Sequence, residues 1–146
     1  MTTVLVVDDD DAMRDLLKQV FTGAGYEVLE AGNGNKAGLV YALHRPDLVI
    51  TDLIMPDGEG LELIMALRGQ YKGVKIIAMS EGRRGGRSNY LLTAKRLGAD
   101  YTIEKPFSID EFLSIVRLAI ETGPTSPAMA IASNEKDTPI ENNFGC

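Results

Sequence analysis

Five short apolar runs, rich in β-branched residues, recur along the chain, and each is followed by a stretch with helical character. The runs are residues 3–7 (TVLVV), 26–31 (YEVLEA), 47–51 (DLVIT), 74–79 (VKIIAM) and 100–104 (DYTIE). Residues 3–7 are apolar on both faces, as a strand buried inside a parallel sheet requires. After them Met13, Leu16, Leu17, Val20, Phe21 and Ala24 form a helical stripe that stops at Gly25. A second helix carries Ala37, Val40 and Tyr41 on one face and ends before Pro46. A third spans about Leu61 to Arg68, and a fourth runs from Ser88 to Leu97 and stops at Gly98. The fifth opens on a capping box, Ser108-x-x-Glu111, and turns Phe112, Ile115, Val116, Ala119 and Ile120 to the core. Alternation of this kind implies an α/β fold, a parallel sheet with helices on both faces.

The chain's 146 residues suffice for one domain with a real core, and its 45% apolar and 25% charged content is ordinary for a globular protein. No apolar run approaches the length of a membrane span, so no membrane insertion is expected. The N-terminus, MTTVLVVDDDD, has neither the basic flank nor the cleavage site of a secretion signal. The one cysteine, Cys146, permits no internal disulfide, which fits a cytoplasmic location. A net charge of −6 gives no global attraction to nucleic acid, and direct DNA binding is not expected. The expected division is one domain over residues 1–122 and a disordered tail over 123–146, where prolines and small polar residues dominate. That tail is too short to be a DNA-binding module with its own core.

Ligands of an open parallel sheet bind at the carboxyl ends of its strands. The first strand ends in four consecutive aspartates, Asp8 to Asp11; the third ends at Thr51 and Asp52; the fourth at Met79, Ser80 and Glu81; the fifth at Glu104 and Lys105. If these strands are neighbours, three carboxylates, a hydroxyl and an ammonium meet on one rim. Two carboxylates about 4 Å apart repel by roughly 4 kcal/mol at an effective dielectric near 20. A bound divalent cation relieves that repulsion, and a few hard oxygen donors suit Mg²⁺. Asp10 and Asp11 are expected to cap the following helix instead, with their charge at the positive end of its dipole.

The segments VLVVDDDDAMR, TDLIMPDGEGLELI, IIAMS, and GAD followed by KPF resemble the receiver domain of two-component response regulators, in the right order over about residues 3–122. The resemblance implies a flavodoxin-like (βα)5 fold with strand order 2-1-3-4-5. It implies Asp52 as the phosphoryl acceptor, and Mg²⁺ held by Asp9, Asp52 and the backbone carbonyl of Ile54, with Asp8 acting through water. Ser80 would be the switch hydroxyl and Lys105 the phosphate-binding cation. The donor would be a phosphohistidine on a sensor histidine kinase or a histidine phosphotransfer protein. Output would pass to a protein target through the face made by the fourth helix, fifth strand and fifth helix. The expected protein is a stand-alone switch or relay intermediate, and not a conventional turnover enzyme.

The sequence departs from that family in places. Thr102 stands where receivers usually carry an aromatic switch residue, and Tyr101, one place earlier on a strand, points to the opposite face. The loop EGRRGGRS is unusually basic. It reads as a flexible solvated loop, as a docking surface for an acidic partner, or as a modulator of phosphate access. Ile54 and Gly82 lie where receivers tune the lifetime of the phosphoryl group. Ile54 has no polar atom to position an attacking water, so slow dephosphorylation is expected.

Three other readings stay open at this point. Gly32-x-Gly34-x-x-Ala37 follows a strand and opens a helix, as a dinucleotide fingerprint does, although a turn with Asn33-Gly34 in a left-handed conformation also accounts for it. Asp8 and Asp10 have the spacing of an aspartate-nucleophile phosphatase. Thr102 would suit an interaction module that keeps the fold without the switch.

Overall fold

The computed structural model describes residues 1–55, 59–80 and 88–122. In chain order it contains β1 (Thr3–Val7), α1 (Asp11–Gly23), β2 (Glu27–Ala31), α2 (Gly34–His44), β3 (Leu48–Asp52), α3 (Glu59–Gln70), β4 (Ile76–Ser80), α4 (Ser88–Leu97), β5 (Tyr101–Glu104) and α5 (Ile109–Thr122). The strands pair in parallel in the order β2-β1-β3-β4-β5, as the resemblance implied. The order reverses between β1 and β3, so their carboxyl ends open the crevice where such sheets bind ligands.

Strand alternation sorts the core into two layers. Leu5, Val7, Val49, Ile76 and Ala78 pack with α2, α3 and α4 residues such as Ala37, Ile64 and Ala94. Val4, Val6, Leu48, Ile50, Ile77 and Met79 pack with Leu17 and Phe21 of α1 and Phe112, Val116 and Ala119 of α5. Phe21 meets Phe112 edge-on at 5.4 Å, and Phe107 stacks on Phe112 at 4.8 Å. Burying each of these large side chains stabilises the fold by about 1.5–3 kcal/mol. No helix among the described residues is long and apolar enough to cross a membrane.

Caps fix the helices that flank the crevice. Asp10 is the N-cap of α1, its carboxylate accepting from the Ala12 and Met13 N–H groups. At the other end Tyr26 N–H donates to Phe21 O and Gly25 N–H to Thr22 O, with Gly25 at φ 95°, which only glycine adopts freely. Ser108 Oγ accepts from the Glu111 N–H to open α5.

Some sequence expectations shift. Gly34 is not left-handed; it begins α2, and Asn33, extended at φ −158°, caps it by accepting from the Lys36 N–H. The side-chain cap competes with the turn and wins, because a helix start leaves N–H groups to satisfy. Asp11 is the first residue of α1, and its carboxylate meets Arg14 at 2.6 Å rather than sharing the cap. Helix α3 extends past both expected ends, taking in Gly60 and Gly69. Strand β4 starts at Ile76 and runs through Ser80. The expectations for Pro56 to Gly58, for Glu81 to Arg87 including Gly82, and for the tail over 123–146 lie outside the described residues.

Candidate functional site

The site is built where β1, β3, β4 and β5 end side by side. Asp8 follows β1 directly, and its N–H still bonds Ala31 O of β2. Asp52 is the last residue of β3, paired with Met79 of β4. Leu53 N–H extends that ladder to Met79 O at 2.9 Å. Ser80 ends β4, and its carbonyl accepts from the Lys105 N–H at 2.6 Å. That bond places Lys105 at the mouth of the crevice instead of in the solvent beyond β5.

Asp8 and Ser80 are fully buried and Asp52 is nearly so, while Asp9 is exposed. Oxygens of Asp8, Asp9 and Asp52 lie within 4.8 Å of one another. Lys105 Nζ stands 3.4 Å from Asp8 Oδ2 and 3.6 Å from Asp52 Oδ2. The other oxygens have backbone partners: Asp8 Oδ1 accepts from Asp10 N–H at 2.9 Å, and Asp52 Oδ1 from Ile54 N–H at 3.3 Å. The structure thus gathers Asp8, Asp9, Asp52 and Lys105 and puts Ser80 on the adjoining strand end.

Burial pushes the Asp52 carboxyl up to about 6; Lys105 and the Ile54 N–H oppose the shift, while Asp8 and Asp9 add to it. Burial also raises Asp8, against the Asp10 N–H and Lys105. One ammonium does not balance three carboxylates at this range. The residues present therefore fit a hard divalent cation: three carboxylate donors, under-neutralised, with an open side at Asp9.

Neighbouring features bear on the open readings. Asp10 is occupied as a helix cap, so the Asp8-x-Asp10 pair does not present two carboxylates to one substrate. Gly32 and Gly34 follow β2, the edge strand, and not β1, whose end borders the β1/β3 crevice where a nucleotide's phosphates would bind. Thr102 pairs with Ala78, whose side chain faces the α2–α3–α4 layer; Tyr101 pairs with Ile77 and packs in the α1–α5 layer. The two residues do point to opposite faces. His44 ends α2, and α2 starts on the strands' carboxyl side, so this histidine lies far from the crevice.

Sequence reasoning missed two residues here. Gly60 lets α3 press on the loop that carries Asp52; a Cβ there would collide with the Asp52 carbonyl oxygen and sit 2.7 Å from Leu53 Cα. The sequence reading began the third helix only at about Leu61 and left Gly60 in the loop before it. Arg14, on α1, donates to the Asp8 carbonyl at 2.7 Å, and nothing in its spacing marked it.

The sequence model of the response regulator receiver domain matches residues 4–117. Among curated relatives, the KDP operon transcriptional regulatory protein KdpE of Escherichia coli is 39% identical over 82% of this chain and 52% of its own length. The DNA-binding transcriptional regulator NtrC of Azospirillum brasilense is 35% identical over 92% of this chain but 27% of its own. The chain thus spans about half or less of these regulators. Sporulation initiation phosphotransferase F of Bacillus subtilis is 33% identical over 78% of this chain and 90% of its own length. Among solved structures, the chemotaxis response regulator CheY4 of Vibrio cholerae superposes with a TM-score of 0.73 at 30% identity, covering 82% of this chain and 98% of that one. The receiver domain of NtrX from Brucella abortus does so at 0.76 and 29%, with the same coverage.

Proposed function

The chain belongs to the response regulator receiver domain family of two-component signalling, and we propose that in it Asp52 accepts a phosphoryl group from a phosphohistidine of a partner protein. The observation that carries this reading is the nearly buried Asp52 carboxylate clustered with Asp8 and Asp9, three acids with Lys105 3.6 Å from Asp52. The partner is a sensor histidine kinase or a histidine phosphotransfer protein.

In the transfer, an Asp52 oxygen forms the new P–O bond as the P–N bond to the donor imidazole breaks. The imidazole keeps the bonding electron pair and takes up a proton. Such a transfer needs in-line placement and charge neutralisation more than covalent assistance. Asp9, Asp52 and the Ile54 carbonyl, with Asp8 beside them, would hold Mg²⁺, which would supply that neutralisation. Lys105 adds a cation 3.6 Å from Asp52 and 3.4 Å from Asp8. The Ile54 N–H, already on Asp52 Oδ1, helps aim the attacking oxygen.

The phosphorylated carboxylate then offers oxygens that Ser80 can bond, biasing the face formed by α4, β5 and α5 toward a protein target or a relay partner. Thr102 replaces the usual aromatic, so Ser80 carries the switch without it. Ile54 places no polar side chain by the phosphoryl group, and its lifetime exceeds seconds. The chain thus acts as a stoichiometric acceptor and not as a turnover enzyme.

Thr102 also favours a second reading, a receiver-fold interaction module that never switches. Both it and a phosphatase are tested by presenting the protein with a phosphorylated histidine phosphotransfer protein and Mg²⁺. Transfer of label to one site, retained for minutes, supports the acceptor reading. No transfer favours the interaction module. Continuous release of phosphate from a generic ester favours the phosphatase.

A further inference from the structure

The arginine at position 14 ties together three segments beside the acidic pocket. Its Nη1 donates to the Asp8 carbonyl at 2.7 Å. Its Nη2 meets Asp11 Oδ1 at 2.6 Å, and its Nε meets Glu30 Oε1 of β2 at 3.4 Å. Lys18 holds the other Glu30 oxygen at 3.2 Å. Gly32 leaves room for the guanidinium: a Cβ there would stand 3.4 Å from Nη1.

These contacts make little sense as a stability device. Asp11 is 88% exposed and Glu30 34% exposed, and pairs so wetted contribute little to stability. What they do is orient. The fork geometry of a guanidinium fixes its direction when several of its N–H groups are engaged. Here it is aimed at the carbonyl between Asp8 and Asp9, in the bend that joins β1 to α1. That carbonyl shares a rigid peptide plane with the Asp9 N–H. Holding it fixes the peptide plane that carries the Asp9 Cα and so narrows where the Asp9 carboxylate can reach. The Asp8 side chain is held separately, by the Asp10 N–H and Lys105. Asp9 is exposed, and its place beside Asp8 and Asp52 depends on the bend that carries it.

We infer that Arg14 is a positioning residue for the divalent cation: it pre-sets the Asp8–Asp9 bend so that the Asp9 carboxylate joins Asp8 and Asp52. The inference rests on the proposed cation site and names a residue that keeps it organised without touching the ion.

The sign of the effect separates positioning from charge. A nearby positive charge repels Mg²⁺, so deleting it tightens binding if Arg14 acts only through its field. If Arg14 positions the bend, its loss weakens binding, because ligand-orienting partners of a metal site are worth about tenfold or more in affinity. The test is calorimetric titration of the full chain with MgCl2, comparing the wild type with Arg14→Met, Gly32→Leu and Lys18→Met. Gly32→Leu keeps the charge but fills the guanidinium's seat. Lys18→Met removes a charge that reaches Glu30 and not Asp8.

The expected result is about tenfold weaker Mg²⁺ binding for Arg14→Met and a loss of the same sign for Gly32→Leu. Lys18→Met stays at or slightly tighter than the wild-type value. Phosphorylation by a small-molecule donor then shows a raised half-saturating Mg²⁺ with the saturated rate unchanged, a split that general destabilisation does not give. Unchanged or tighter binding in Arg14→Met, with normal binding in the wild type, overturns the inference alone. A wild type that binds no Mg²⁺ overturns the proposed site itself and the inference with it.

Discussion

Lys105 Nζ lies 3.6 Å from Asp52 Oδ2, reaching it from the end of β5 across the end of β4. The contact depends on backbone as much as on charge, because Lys105 N–H is pinned to the Ser80 carbonyl. Lys105→Met keeps most of the volume and removes the ammonium. Phosphorylation of Asp52 should slow by roughly 100-fold, the usual cost of losing one preorganised group facing developing charge. Lys105 opposes the upward shift of Asp52, so the variant's Asp52 should titrate above about 6, read by carboxyl NMR. A rate within a few-fold of wild type would remove Lys105 from the chemistry.

The elevated Asp52 carboxyl has a consequence for stability. Below its ordinary value of 3.8 it is protonated in both folded and unfolded chains and contributes nothing. Between there and about 6 the folded state keeps a proton that the unfolded state has lost, so stability falls as pH rises. Above that range the full cost, roughly 3 kcal/mol, is present. Asp8 is shifted in the same direction. Asp52→Asn should therefore raise the Mg²⁺-free melting temperature at about pH 7.5 and raise it less at about pH 5. Added MgCl2 should stabilise the wild type more at the higher pH. Equal effects at both would show that the acidic cluster is not strained.

Gly60 sets local packing against helix propensity. Alanine is the better helix former by about 1 kcal/mol. At Gly60, however, its Cβ would meet the backbone of Asp52 and Leu53, which cannot rotate away. Gly60→Ala should destabilise by about 1–3 kcal/mol and impair phosphorylation. Gly38→Ala, in α2 with nothing within 4 Å of the new Cβ, should stabilise by about 0.5–1 kcal/mol. Urea denaturation decides it; the same sign at both positions would refute the close-approach argument.

Asp100 belongs to one of the segments that carry the family resemblance, yet its surroundings are structural. Nearly buried, it accepts from the Ile76 N–H and from Arg68 Nη2, each at 2.8 Å. It precedes β5, at the opposite end of the sheet from Asp52. Asp100→Ala should cost about 1–3 kcal/mol by stranding the buried Ile76 N–H and removing the Arg68 ion pair, although Arg68 keeps the Gly98 carbonyl, without changing the phosphorylation rate of the folded protein. A selective loss of phosphorylation at unchanged stability would contradict that division.

The strand ends were legible because buried parallel strands are nearly pure apolar runs, and the functional residues stand where the four runs other than the edge strand end. Residues 3–7 matched β1 without adjustment. Asp8, Asp52, Ser80 and Lys105 followed from counting to the end of each run. Asp9 was legible as part of an acidic run too dense to be a cap alone. Elsewhere local signals competed with tertiary ones. The third helix was expected only from about Leu61 to Arg68, but α3 runs on through Gly60, which packs on the Asp52 loop, and Gly69. Val74 and Lys75 read as strand, but the ladder with β5 starts later: Ile76 donates to the Asp100 side chain and accepts from its N–H. Arg14 was not legible at all. Its role depends on the bend of β1 into α1 and on the edge strand beside it, and neither is encoded in its spacing.

The central claim is an acyl phosphate at Asp52. The most direct measurement is the intact mass of the protein after incubation with Mg²⁺ and a small-molecule phosphodonor, beside Asp52→Asn. The wild type should gain one phosphoryl group, removed by hydroxylamine and absent from the variant. A phosphoryl group on Asp52→Asn, or none on a wild type that binds Mg²⁺ and meets a competent phosphohistidine donor, would contradict it.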